Sequence, residues 1–349
     1  MTRIVAVIAF IVALALSAAP ARAGVANGGL PGDGANPLTG MRWGVYPKGE
    51  PVKVYDQLRA AGDARAALLG RIALRPVTRW YGQWIDQYGR FGVVNTIRSY
   101  IQESTGGDPN VMAQLAIFAL EPYERQACTR VPTAAEQSAY RTWVDLAADA
   151  IGDSRVALIL QPDLPFTSCL PHHSRVDMRL VSWAARRFSA LPHTTVYLDA
   201  AASDWLKPDA AARLLIANGV RSARGFATDL THYASTTAEL SYGHKVIAAL
   251  ARRGVHGKHF VVSTSENGTP FTFQKHPDWF HQGLHVGLGI PPTTDVANAR
   301  WGLPSAARRI ARREVDAYMW IARPWLLNAG PFELDRALRV AAATPKRYL

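Results

Sequence analysis

The sequence predicts an α/β protein built as a mostly parallel β/α barrel of about seven strands. Short aliphatic and β-branched runs recur along the chain, and helix-like segments separate most of them. Strand, loop, helix, strand over roughly 30 to 45 residues is the βαβ unit, and repeated units build a parallel sheet. An open doubly wound sheet is the alternative. No Gly-x-Gly-x-x-Gly stands between a strand and a helix, so a nucleotide-binding reading has little support.

The expected strands are Ala113 to Ala119, Val156 to Leu160, Thr195 to Leu198, Gly225 to Thr228, His259 to Ser263, Leu284 to Gly287 and Tyr318 to Ile321. Between the first two, Thr133-Ala134-Ala135-Glu136 reads as a capping box. The helix it opens carries Tyr140, Trp143, Val144, Ala147 and Ile151 as an apolar stripe. Further helices are expected from about Ser174 to Ala190 and from about Pro208 to Asn218, the second with proline in its first turn. Thr236-Thr237-Ala238-Glu239 repeats the capping device before Leu240, Val246, Ile247 and Leu250, and Gly254 supplies the stop. Ala299 to Glu314 reads as a basic insertion.

The first residues have the layout of a secretory signal: Arg3, an apolar stretch from Ile4 to Leu16, then Ala21-Arg22-Ala23 as a small-x-small cleavage site. The expected organisation is a signal over residues 1–23, a Gly-rich lead-in over 24–36 and one barrel domain over 37–349, secreted and monomeric. A membrane span needs about 20 apolar residues, and Ser17 and Pro20 interrupt the stretch before that length. Formal charge is +12, of which Arg3 and Arg22 leave with the signal. Such a field favours anionic surfaces such as a cell envelope. The arginine doublets are scattered and no nucleic-acid motif accompanies them, which favours solvated helix faces over a nucleic-acid partner. Cys128 and Cys169, in a chain routed to an oxidising compartment, imply one disulfide closing a loop of about 40 residues, worth roughly 4 kcal/mol. The histidines, His172-His173 included, do not make metal spacing, and no metal or cofactor is expected.

In parallel barrels the chemistry collects at the C-terminal ends of the strands. Those ends carry Glu121-Pro122-Tyr123-Glu124-Arg125, Gln161-Pro162-Asp163, Asp199, Asp229, Glu266-Asn267 and Arg323-Pro324. Tryptophans 205, 279, 301, 320 and 325 lie near these ends in sequence. Carboxylates over a barrel mouth with aromatic rings nearby suit a sugar site, because rings stack on pyranose faces while polar groups bind hydroxyls. Most of these tryptophans are expected in the core; Trp205 and Trp279, each in a loop, are expected to face ligand, and Trp80 is grouped with them.

Several of these segments, in this order, resemble glycoside hydrolase family 6, the cellobiohydrolases and endoglucanases with a distorted, TIM-like β/α barrel. Leu158-Ile159-Leu160-Gln161-Pro162-Asp163 resembles the family strand ending in Glu-Pro-Asp, whose Asp is the catalytic acid. Tyr197-Leu198-Asp199-Ala200-Ala201-Ala202-Ser203-Asp204-Trp205-Leu206 resembles its Tyr-Leu-Asp-Ala-Gly-His-Ala-Gly-Trp-Leu segment. The segments at Arg224 to Thr228, His259 to Gly268, Gly287 to Asp295 and Asp316 to Ile321 continue the match, which spans about Asn36 to Pro324. The cysteines occupy the places of a disulfide typical of the family.

The resemblance assigns Asp163 as general acid of an inverting glycosidase acting on a β-1,4-glucan or a related cell-envelope polysaccharide. The family's Pro-x-Arg-Asp-Cys motif is here Pro122-Tyr123-Glu124-Arg125-Gln126-Ala127-Cys128, with Gln126 where the second Asp belongs, and the segment that offers the family's base has Asn328. Two readings follow. Water is activated by a relocated carboxylate, Glu124 first, with Glu121 or Asp108 as alternatives, or the barrel persists as a glycan-binding protein without turnover. Trp80, Arg125, Gln126, Asp199, Trp205, Trp279 and Asn328 are the expected substrate contacts; for Asp199 a buried structural hydrogen bond stands level with a sugar contact.

Overall fold

A computed structural model describes residues 34–273, 283, 285–327 and 330–349, with the side chains of 86–91 left aside. The expected signal, most of the lead-in, Trp279 and Asn328 lie outside the described residues.

Chain order runs β1 (Arg42–Trp43), α1 (Glu50–Ala60), α2 (Arg65–Ala73), β2 (Arg79–Tyr81), α3 (Gly89–Thr105), β3 (Val111–Ile117), α4 (Glu124–Ala127), α5 (Ala134–Ile151) and β4 (Val156–Leu160). It continues with α6 (Val176–Ser189), β5 (Thr194–Asp199), α7 (Pro208–Ala217), β6 (Gly225–Thr228), α8 (Thr236–Ala251), β7 (His259–Ser263), α9 (Ser305–Glu314), β8 (Val315–Met319) and α10 (Leu334–Ala342). From β3 to β8 each strand pairs in parallel with the next, and β1 and β2 both pair in parallel with β3.

Strand parity divides the interior. Ala116, Ala157, Ile159, Tyr197, Ala227, Val261, Ala317 and Met319 point to one side, where Leu38 and Leu230 fill the space between them. Leu115, Leu158, Val196, Phe226, Phe260 and Val262 point to the other, against the helices. A sheet buried on both faces has no polar alternation, which is why its strands read as continuous apolar runs. The ladder does not join β8 to β2. Thr78 donates its amide to Trp320 O at 2.9 Å and Trp80 Nε1 donates to Ile321 O at 2.7 Å across that seam. Thr293 makes an antiparallel bridge with Tyr318 of β8. The barrel is therefore distorted, as the resemblance implied.

Three expectations change. The run at Leu284 to Gly287 is no strand over its described part: Val286 and Leu288 are buried in a side cluster with Leu69, Trp320 and Val340. A Cβ on Gly287 would stand 2.5 Å from Ala343 O, so close backbone packing there excludes side chains. The basic insertion is helix α9, with Ala307 and Ala311 buried and arginines on its solvent side, leading directly into β8. The capping box at Thr133 and Glu136 is present as expected, but α8 is capped by Ser235, whose hydroxyl accepts from Ala238 N at 3.2 Å. Glu239 is thereby released for other use.

Candidate active site

The chain turns sharply where strands end at the mouth. Gln161, Asp163, Ala201 and Asp229 have φ of 54°, 59°, 65° and 63°. None is glycine, and non-glycine residues held in the left-handed region concentrate where a surrounding network over-determines them.

That network is visible around Asp163, three residues beyond β4. Its amide donates to Asp199 Oδ2 at 2.7 Å, and Asp199 Oδ1 accepts from Ala201 N at 2.8 Å. Asp199 is 1% exposed, and burial, then the Asp163 charge, push its pKa to about 8. Its geometry is that of a buried anchor for the Asp163 turn, the structural one of the two roles expected for it, with both oxygens accepting from backbone amides. Asp163 itself is half-buried. Its Oδ1 accepts from Thr231 Oγ1 at 3.0 Å. Burial is the largest influence on its carboxyl and raises its pKa to about 6; the Thr231 hydrogen bond and His232 oppose, while the charge of Glu124 adds to the rise.

Two of the other carboxylates expected around the mouth, Asp229 and Glu266, are not open to it. Asp229, 2% exposed, accepts from Ala234 N at 3.1 Å and Asn267 Nδ2 at 3.2 Å, and its pKa is raised well above the usual value by burial and then by Glu239. Glu266 is paired with the buried Arg336 of α10. Asp108 lies before β3, at the opposite end of the sheet from Asp163, and is paired with Arg42. This removes it from the candidate bases. Glu124, Arg125 and Gln126 are exposed on α4, just after the mouth end of β3. The Cys128–Cys169 disulfide ties this turn to the loop that follows Asp163, with Cα atoms 4.8 Å apart.

Two aromatic walls flank Asp163 in strand order. On the β5 and β6 side the His232 ring stacks on Trp205 at 4.9 Å and on Phe273 at 4.6 Å, while Phe166 meets Trp205 edge-on at 5.8 Å. Asp204 holds this wall: Oδ1 lies 2.7 Å from His232 Nδ1 and Oδ2 accepts from Phe273 N at 2.7 Å. Burial would raise the Asp204 pKa, but the His232 contacts prevail and lower it. Glu239 supports the same loop by accepting from Ser203 N at 2.8 Å. On the β2 and β3 side Trp80 packs on Phe118 at 6.0 Å, and Phe118 on Tyr123 at 5.1 Å. Trp84 joins them, 47% exposed; a Cβ on Gly82 would stand 2.2 Å from its ring, so only glycine leaves room for it. Trp301, Trp320 and Trp325 are buried, as expected of core residues.

Thr231, His232, Glu239 and Trp84 were not among the expected site residues. The signal for the first two was the Asp229-Leu230-Thr231-His232 run after β6, of which only Asp229 was singled out; Glu239 was read as a cap.

This geometry agrees with comparison to known proteins. The family model for glycosyl hydrolases family 6 matches residues 45–324. The chain belongs to that family. It is 32% identical over 247 residues to endoglucanase 1 of Streptomyces halstedii, covering 68% of this chain and 73% of that protein. It is 28% identical over 295 residues to endoglucanase 1 of Streptomyces sp. strain KSM-9, covering 80% and 73%. Among solved structures it resembles the endoglucanase Cel6 of Mycobacterium tuberculosis, bound there to a methyl-cellobiosyl-thio-cellobioside, with a TM-score of 0.72, 27% identity and coverage of 88% of this chain and 99% of that one. This family 6 member is thus a glycoside hydrolase on a distorted, mostly parallel barrel.

Proposed function

We propose that the protein is an exported hydrolase of a β-1,4-glucan or a related envelope glycan, acting with inversion and using Asp163 as general acid. The observation that carries this reading is the state of Asp163: half-buried at the mouth, fixed through Asp199 and Thr231, with a pKa of about 6. A carboxyl raised in this way retains its proton up to about pH 6 and can give it to a leaving glycosidic oxygen. Glu124 is the carboxylate on the facing turn whose charge reaches Asp163, and it is assigned the water. The endoglucanase relatives support a β-glucan backbone. The disulfide supports export, with signal cleavage near Ala23. No helix among the described residues is long and apolar enough to cross a membrane.

The test is release of new reducing ends from β-glucans and bacterial wall glycans, with the product anomer followed by NMR. Inverted product from wild type and none from Asp163→Asn is the expected result. Undiminished release by that variant overturns the role of Asp163, retained configuration overturns inversion, and binding without release leaves a glycan-binding protein.

A further inference from the structure

A cavity of about 160 Å³ opens at the β2 and β8 seam, lined by Tyr46, Glu50, Arg79, Trp80, Trp84 and Arg323 among others. Its cations are unusual within this molecule. The buried arginines Arg224 and Arg336 are neutralised by Asp316 and Glu266. The Arg323 side chain, partly buried, makes no ion pair or hydrogen bond among the described residues; its guanidinium lies over the Trp80 ring at 5.6 Å. Arg79 lies over Tyr46 at 5.5 Å. Burial and then the neighbouring Arg79 charge lower the Arg323 pKa, with Glu50 and Glu266 only partly opposing. Arg75 adds a third guanidinium to the lining, against the single carboxylate of Glu50.

Guanidinium groups donate hydrogen bonds and accept none. A neutral sugar leaves the charge of the half-buried Arg323 uncompensated beside the exposed Arg79, whereas a carboxylate or phosphate meets the planar fork with two charge-assisted bonds. The pocket is also continuous in its rings with the cleft, since Trp80 contacts Phe118, Phe118 contacts Tyr123, and Tyr123 precedes Glu124. Resting on the glycosidase reading, we infer that Arg323 and Arg79, over Trp80 and Tyr46, form a subsite for a negatively charged sugar of the glycan, a uronate or an acid ester.

Binding to the full chain carrying Asp163→Asn tests this by calorimetry with three pentasaccharides on one β-1,4 backbone: neutral cellopentaose, its glucuronate counterpart and its 6-phosphate ester. The ratio of kcat/KM for the same ligands on the wild-type chain is a second measure. At least one anionic ligand is expected to bind tenfold or more tighter than the neutral one at low salt, and the stronger of the two names the source of the charge. Arg323→Gln and Arg79→Gln should each cut that preference at least threefold, with Arg323→Lys retaining part of it. Equal or weaker binding of both anionic ligands overturns the inference. So does a preference that survives Arg323→Gln unchanged, which marks only the net positive field. Turnover of neutral glucan without anionic preference sinks this subsite and leaves the proposed function standing; absence of turnover on every glycan sinks the latter alone.

Discussion

Asp199 Oδ2 accepts the backbone amide of Asp163 at 2.7 Å, so one buried carboxyl sets the turn on which the other stands. Asp199→Ala removes both acceptors and leaves the backbone amides of Asp163 and Ala201 buried without a partner. A buried polar group left unsatisfied costs about 1 to 3 kcal/mol, and the Asp163 turn, with φ of 59°, loses its anchor. The variant is expected to lose about that much stability in urea unfolding and about tenfold to a hundredfold in kcat with KM little changed. Full stability together with full kcat would remove the anchoring role.

Thr231 tunes the proton on Asp163. Its hydroxyl bonds Oδ1 at 3.0 Å and lowers a pKa that burial has raised to about 6. A general acid works only while protonated, so kcat/KM should fall as pH rises through about 6. Thr231→Val removes the hydrogen bond to the ionised form, and the alkaline limb is expected to move to higher pH. A pH–rate profile that stays fixed, or moves down, contradicts the assignment.

Glu124 predicts the opposite shift. Its charge raises the Asp163 pKa, so Glu124→Gln should move the alkaline limb to lower pH. As the assigned base its loss should also reduce kcat about a hundredfold or more. A limb displaced downward with kcat intact would leave Glu124 as a neighbour of the acid and send the search for the base elsewhere.

The barrel was legible because its strands are buried on both faces: Val156–Leu160, Gly225–Thr228 and His259–Ser263 coincide with the runs expected from sequence. Strands β1 and β2, two and three residues long, show no period to read. Asp163 stood out through its place after β4, but the depth of its companions did not. Asp199, Asp229 and Glu266 all stand at or just after strand ends, and only packing decides that each is buried; the left-handed turns at Gln161, Ala201 and Asp229 carry no glycine to announce them. Glu239 misled for a local reason: it stands three residues after a threonine, yet the cap is Ser235, and the glutamate turns inward to Ser203.

The Cys128–Cys169 bridge spans 41 residues and fastens the turn bearing Glu124 to the loop after Asp163. The chain-entropy model gives about 4 kcal/mol for such a loop. Cys128→Ser with Cys169→Ser should lower the urea midpoint by about 2 to 4 kcal/mol equivalent and reduce kcat, because the two carboxylates lose their common tether. Unfolding and turnover of the double variant, compared with the oxidised wild type, check both effects; unchanged kcat would confine the bridge to stability.

Asp177 supplies a test of stability away from the mouth. It opens α6, is fully buried, and neither carboxylate oxygen has a hydrogen-bond partner among the described residues. Burial raises its pKa from 3.8 to about 7. The folded protein therefore holds a proton there that the unfolded chain releases near pH 4. Stability from this site is fully present below the unfolded value and is lost as pH rises through about 7, because over that window the native state binds more protons than the unfolded one. Asp177→Asn has no proton to lose. The stability of the variant relative to wild type should therefore grow by about 2 to 4 kcal/mol between pH 4 and pH 7 and then level off. Urea midpoints at several pH values read this directly, and curves that stay parallel across the window would show that Asp177 is ionised in the fold and has found a partner.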